Sequence, residues 1–393
     1  MSGRRAAEMG ASVAALAVVW LVATNVGPFS ADQVNDLYVY SVDQALLADG
    51  QVPFRDFPFE YPPLALVPIG LAGGDATAMS LLMLGCAVAA QLCAWALGGR
   101  RAGWAMVALP VLAGALVRTH FDLLPAALTL GGLVLVARRR PMLGLALLGA
   151  GTMAKLWPAA VAVVALAWLW GRGERRAAAR ATAAFAVVVL GLGVPFAALG
   201  GFPSDMVRFH LDRPVQIEST PATALELVGG THVTGAPVIP DPYKSNGLDG
   251  GPADLVLALC TLALLAAAAA VAVLAARRPG VEALVLAALG VTLAFVALGK
   301  VLSPQYVCWL LPLAAVAWGR AGRAAAVPAA LTAAAALVTQ AWFPRHYFDV
   351  VFQHGWAVVA VGVRNALLLL ALAATARALA RSPGPAAAPR RSG

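Results

Sequence analysis

Long apolar stretches follow one another along this chain, and every second break between them is a short run of arginines. The stretches cover 9–27, 75–98, 103–117, 123–137, 141–153, 157–170, 178–199, 253–276, 280–298, 305–318, 324–342 and 356–376. A helix needs about 20 apolar residues to cross a bilayer. The pattern therefore predicts an all-α polytopic membrane protein with about 12 transmembrane helices. A further run, 61–72, is too brief to span, and the four runs within 103–170 are short for a bilayer. Short segments are tolerated where helices break around a cavity instead of facing lipid. Composition agrees: 61% of residues are hydrophobic and 12% charged, against about 45–50% and about 25% in soluble domains. This excludes a soluble globular enzyme, a disordered chain and a collagen-like fibre.

The charges fix an orientation. With the N-terminus in the cytoplasm and sides alternating, the inner breaks hold 19 of the 28 basic residues, all arginine, from Arg4 and Arg5 to Arg390 and Arg391. The only acids beside them are Glu8, Glu174 and Glu282. That is a strong positive-inside signal, and it accounts for the net charge of +9 with no nucleic-acid partner. Both termini are expected in the cytoplasm of a multi-pass plasma-membrane protein. Residues 1–381 read as a single transmembrane domain, and 382–393, rich in Pro, Ala and Arg, as a disordered tail. The first apolar run resembles a signal peptide, but the spans that follow favour a retained first helix.

The same orientation gathers the chemistry on one side. The long segments 28–74 and 200–252 are expected to be extracytoplasmic, with 343–355 beside them. His120, His210, His232, His346 and His354 all fall on that side. Nucleotide-linked donors are cytoplasmic, so an outer-face reaction needs another energised donor, most simply a lipid-linked one. Cys86, Cys93, Cys260 and Cys308 sit within apolar runs without metal-ligand spacing and read as small buried hydrophobes. No HExxH, paired CxxC, phosphate-binding P-loop or dinucleotide-binding glycine pattern is present, so no metal or cofactor is indicated.

Asp36 follows the first span at the membrane surface, where a carboxylate can act as general base toward a hydroxyl. Around it, Tyr38, Tyr40, Phe54, Phe57, Phe59 and Tyr61 supply aromatic surface suited to the interface or to stacking on sugar rings. Arg55, Asp56 and Glu60 supply polar groups. Arg118, Lys155, Lys300 and Arg364 are cations in or beside apolar runs. Ionisable groups there are costly and tend to mark functional sites, and a phosphate at the membrane surface would satisfy them. Structural pairing, such as Arg118 with Asp122, is the plain alternative. His210, Arg213 and Glu218 in the second long segment, with Gln305 and Tyr306 before the tenth span, are candidates for sugar or acceptor binding. Ordinary surface ion pairs and helix caps are their plain alternative.

In this order and on this one side, the motifs resemble the GT-C superfamily of membrane glycosyltransferases, and within it glycosyltransferase family 87. They are Asp36-Leu37-x-x-Tyr40, Pro53-Phe54-Arg55-Asp56-Phe57 through Glu60-Tyr61-Pro62-Pro63-Leu64, Lys155-Leu156-Trp157-Pro158, Arg213 to Ser219, and Ser303-Pro304-Gln305-Tyr306 to Trp309. The resemblance implies an extracytoplasmic active site with Asp36 as base. It also implies a polyprenyl-phosphate sugar donor, with mannose the family-level expectation, and a lipid or glycan acceptor. The superfamily often carries an acidic pair in the first loop. Here Asn35 precedes Asp36, so a divalent metal is not indicated. The competing readings of the composition are a transporter or lipid-linked sugar flippase, and an assembly scaffold.

Overall fold

A computed structural model describes residues 3–234 and 245–383. Among them lie helices α1 (Gly3–Asn25), α2 (Leu37–Ala48), α3 (Leu66–Ala72), α4 (Ala76–Ala105), α5 (Leu109–Ala113), α6 (Leu116–Thr119), α7 (Leu123–Ala137), α8 (Pro141–Ala154), α9 (Pro158–Gly171) and α10 (Arg175–Leu199). They continue as α11 (Ser204–Asp212), α12 (Thr220–Val228), α13 (Ala253–Arg277), α14 (Val281–Leu298), α15 (Val307–Ala321), α16 (Ala326–Trp342), α17 (Tyr347–Val351) and α18 (Gly355–Arg381). Three short strands, β1 (Val215–Gln216), β2 (Thr231–Thr234) and β3 (Gly247–Gly250), pair antiparallel in the order β1-β3-β2.

Seven helical segments are long and apolar enough to cross a membrane, and two of them are double. Ala76–Ala113 reverses at Gly99, where φ is 69° and ψ is −157°. Pro304–Trp342 turns at Gly322, where φ is 57°. Both values lie where a side chain is strained and glycine is not. Past Gly99 the chain folds back, so that Gln91 donates to the carbonyl of Gly103 and to that of Ser12 in α1. With α7, α8 and α9, the twelve segments expected from the sequence are all helical.

The two ends of the bundle differ. At one, the arginine breaks interlock: Arg100 meets Glu8 at 3.4 Å, Arg172 donates to the carbonyl of Pro279, and Arg278 donates to those of Ala380 and Ser382. Cations placed on the last carbonyls of helices complement the helix dipole. At the other end lie α2, α11, α12, α17 and the small sheet.

Burial sorts the helices as expected for an apolar solvent. α14 is buried on every face from Ala283 to Leu289, the signature of a central helix. α10 and α13 bury only a few residues each and read as lipid-facing walls. α7, α8 and α9 have 14 or 15 residues. That is about 22 Å of helix, short of a hydrocarbon core of about 30 Å. Each starts or stops at the arginine end, so their far ends are recessed below the opposite surface. This recess forms the floor of the cavity described next.

The first long segment, 28–74, is not a simple loop: it carries α2 and α3. The run 61–72 is a short helix that does not span. Within the second long segment, 200–252, residues 235–244 lie outside the described residues. So do residues 384–393 of the expected tail.

Candidate active site

A cavity of about 760 Å³ opens at the end away from the arginines. Its walls come from α2, the segment 57–62, the α8–α9 turn, α11, β1, the segment preceding α15, and α17. Three breaks in the helical pattern converge here, at Asp36, Lys155 and Ser303.

Asp36 stands at the N-terminus of α2 but does not cap it. Asn35 does that work by accepting from the amide of Leu37 at 2.9 Å. The carboxylate of Asp36 is thereby free to point inward. It accepts from the Tyr40 hydroxyl at 3.3 Å and lies 3.5 Å from His120 Nε2. Burial pushes this carboxyl up, but the charge and hydrogen bond of His120, with help from Lys155 and Tyr40, overcome that and hold it down to about 2. Asp36 is thus a fixed anion at neutral pH, one hydroxyl's reach from the cavity.

Lys155 ends α8 and points into the floor. Its Nζ donates to both carboxylate oxygens of Asp122, at 2.8 and 2.9 Å. It also lies 4.8 to 5.7 Å from the ring centres of Phe121, Tyr61 and Trp309. Trp309 donates to the same Asp122 at 2.6 Å and is stacked between Trp157 and Tyr306. The lysine is therefore held rigidly by a buried carboxylate and a cage of rings.

The residues expected at the site divide. Asp36, Glu60, Tyr61, Lys155, His210, Arg213, Glu218, Gln305 and Tyr306 all line the cavity. Tyr40 lies behind Asp36, buried, with its hydroxyl on the carboxylate. Arg213 reaches Glu60 at 3.6 Å and Ser245 at 3.0 Å, and His210 bonds the carbonyl of Glu60. Burial pushes the Glu218 carboxyl up to about 7, even with Arg364 and Arg213 nearby.

All four expected phosphate ligands have partners within the fold, and of them only Lys155, paired with Asp122, lines the cavity. Arg118 pairs with Asp32, not Asp122, and donates to the carbonyl of Ser30, bracing the exit of α1. Lys300 donates to the carbonyls of Leu211 and Arg213, tying down the end of α11. Arg364 is fully buried and donates to the carbonyl of Glu218. Arg55 and Asp56 form a pair with each other at the surface, with the amide of Val52 also on Asp56. None of these five lines the cavity. Among the aromatics, Phe54 and Phe59 are buried packing, while Tyr38, Phe57 and Tyr61 reach the cavity.

The sequence reading missed His120, Asp122, Gln216, Asn246 and Tyr347. Asp122 and Lys155 are 33 residues apart, so no local spacing betrays the pair. The one available signal was an acid within an apolar region, which at Asp122 was read only as a partner for Arg118. Among the described residues, no group of three or more His, Cys, Asp or Glu side chains is arranged to hold a metal ion.

No curated protein matches the chain. The solved structure of ArnT from Cupriavidus metallidurans bound to undecaprenyl phosphate is similar to it, with 17% identity, a TM-score of 0.48, and 94% of this chain and 76% of that chain covered. The model of glycosyltransferase family 87 matches residues 59–304, leaving Asp36 just before the matched stretch and Lys155, Arg213, Glu218 and Lys300 within it. That match spans more than half of the sequence, and the protein belongs to glycosyltransferase family 87.

Proposed function

We propose that this membrane glycosyltransferase moves a sugar, mannose as the first candidate, from a polyprenyl-phosphate donor to a lipid or glycan acceptor on the extracytoplasmic face, with inversion. The observation that carries the reading is the ionised carboxylate of Asp36, held by Tyr40 and His120, in a cavity that also presents Lys155 and Arg213. The cavity opens at the end opposite the arginine breaks, which the positive-inside rule assigns to the outside.

The acceptor hydroxyl gives its proton to Asp36 as its oxygen attacks the anomeric carbon. The bond from that carbon to the phosphate oxygen breaks, and its electron pair leaves with the polyprenyl phosphate. Preorganised cations stabilise the growing charge on the leaving group. A phosphate leaving group needs no general acid, so one carboxylate suffices where glycosidases use two. The anionic donor also places a like charge near Asp36, which raises the basicity of a carboxylate that His120 and Lys155 hold low in the free protein.

The test is transfer of radiolabel from polyprenyl-phosphate-mannose to a membrane-lipid extract by the purified protein in detergent, beside Asp36→Asn. Label appearing in a new lipid with the wild type alone supports the reading. Equal transfer by Asp36→Asn would remove Asp36 as base.

A further inference from the structure

Glu218 is fixed at its backbone by side chains of a membrane helix and by the cap of the next helix. Its carbonyl accepts from Arg364 at 2.7 Å and from Asn365 at 3.1 Å, both on α18. Asn365 also donates to Thr223. The next residue, Ser219, caps α12 by accepting from the amide of Ala222. The backbone around Glu218 is thus clamped between a membrane helix and a helix cap, and Arg364, 0% exposed, is committed to the clamp. Yet the side chain so carefully held lines the cavity at 1% exposure, and its Oε2 has no hydrogen-bond partner.

An unpaired buried carboxyl oxygen is destabilising. Here the backbone is clamped and the carboxyl lies against Gln216 and Tyr347, with one oxygen, Oε2, left without a partner at the cavity wall. Arg213 from the end of α11, Gln216 from β1, Tyr347 from α17 and Arg364 from α18 are the polar groups that face it. The hydroxyl of Tyr347 contacts Asn246 at 3.4 Å, which extends the same polar wall.

We propose that Glu218 is a specificity-determining residue that hydrogen-bonds a hydroxyl of a sugar ring in the cavity, and that Arg364 and Asn365 are the positioning residues that aim it. The inference rests on the glycosyltransferase reading above. A carboxyl in this setting is neutral below about pH 7. A neutral carboxyl donates one hydrogen bond and accepts another, which suits a hydroxyl that is itself donor and acceptor.

The ring belongs to the donor or to a glycan acceptor, and two arms separate these sources. In the first, binding of polyprenyl phosphate, bare or carrying mannose, glucose or arabinose, is followed through the indole fluorescence of the full-length protein in detergent. Loss of tenfold or more in affinity for a sugar-bearing lipid in Glu218→Ala, with the bare lipid unchanged within twofold, assigns the hydroxyl to the donor. In the second, an unchanged donor affinity with a tenfold rise in acceptor KM assigns it to the acceptor.

Glu218→Gln, which keeps both hydrogen-bonding functions, covers the case in which the alanine variant fails to fold. It should bind within threefold of the wild type at pH 6 and lose less affinity than the wild type as pH rises and the Glu218 carboxyl ionises. Unchanged donor affinity and unchanged acceptor KM in Glu218→Ala would overturn the assignment. Glu218-dependent binding without transfer would sink the transferase reading alone. Transfer that ignores Glu218 would sink this inference alone, and a wild type that binds none of the sugar-bearing lipids would sink both.

Discussion

The pair between Lys155 and Asp122 asks whether the lysine is there for the fold, for the chemistry, or for both, and Lys155→Met separates these. The two side chains are 7% and 0% exposed, and the ammonium lies 2.8 Å from one carboxylate oxygen. At that distance and an effective dielectric of about 20, the gross attraction is about 6 kcal/mol. Much of it offsets the cost of taking both charges out of water. Lys155→Met removes the attraction and leaves the cost, because Asp122 keeps only the indole N–H of Trp309. The expected loss is about 3–5 kcal/mol, roughly a thousandfold in the folded ratio. Asp122→Asn should cost less, about 1.5–3 kcal/mol, since three rings still surround the ammonium and cation–π contact offsets part of the loss. In Lys155→Met/Asp122→Asn no charge is stranded and Trp309 keeps an acceptor. That double variant should recover at least about 2 kcal/mol relative to the sum of the singles. Unfolding of the four proteins in detergent, titrated with denaturant, measures the cycle. Additive losses, or singles within 1 kcal/mol of the wild type, would refute the buried-pair account. Recovery of stability in the double without recovery of transfer would give Lys155 a second task at the donor phosphate.

Other perturbations follow from the same geometry. Asp36→Asn should lower transfer by about 10²–10⁴-fold, the range for loss of a general base, while the variant stays folded with a modestly lowered unfolding midpoint. Because Asp36 is depressed from 3.8 to about 2, its stabilisation is complete above pH 4 and is lost as pH falls toward 2. The amount is at most about 2.5 kcal/mol, and His120→Ala should shrink the loss in an acid-unfolding series. Gly171→Ala would drive a methyl into the carbonyl of Ala276 where α9 meets α13, so its thermal midpoint should fall by the equivalent of about 1–3 kcal/mol. Lys300→Met removes two bonds to the carbonyls that end α11. It should raise the donor KM by loosening Arg213 while leaving helicity by circular dichroism unchanged.

Much of the architecture is legible in the sequence. Twelve apolar runs and their arginine breaks follow from the energetics of a bilayer, which act on each segment separately. For the same reason Asp36 stood out: it is a carboxylate just beyond a span, visible without knowing its neighbours. The intramembrane cations were legible as exceptional, but their partners were not. Arg118 meets Asp32 across 86 residues, and Arg364 meets Glu218 across 146. A sequence marks a buried charge as needing a counterpart, but only packing selects which group is near enough to supply it. Lys155 and Lys300 show this most plainly. Both end helices at the same side of the bundle, and the fold turns one into the cavity floor and the other against the carbonyls of a loop. Composition and hydropathy thus determined the membrane fold, because those energies are local sums along the chain. The division of the polar residues between scaffold and site was decided by the tertiary structure, because in a low-dielectric interior a charge answers to whatever lies within a few ångströms, however distant in sequence.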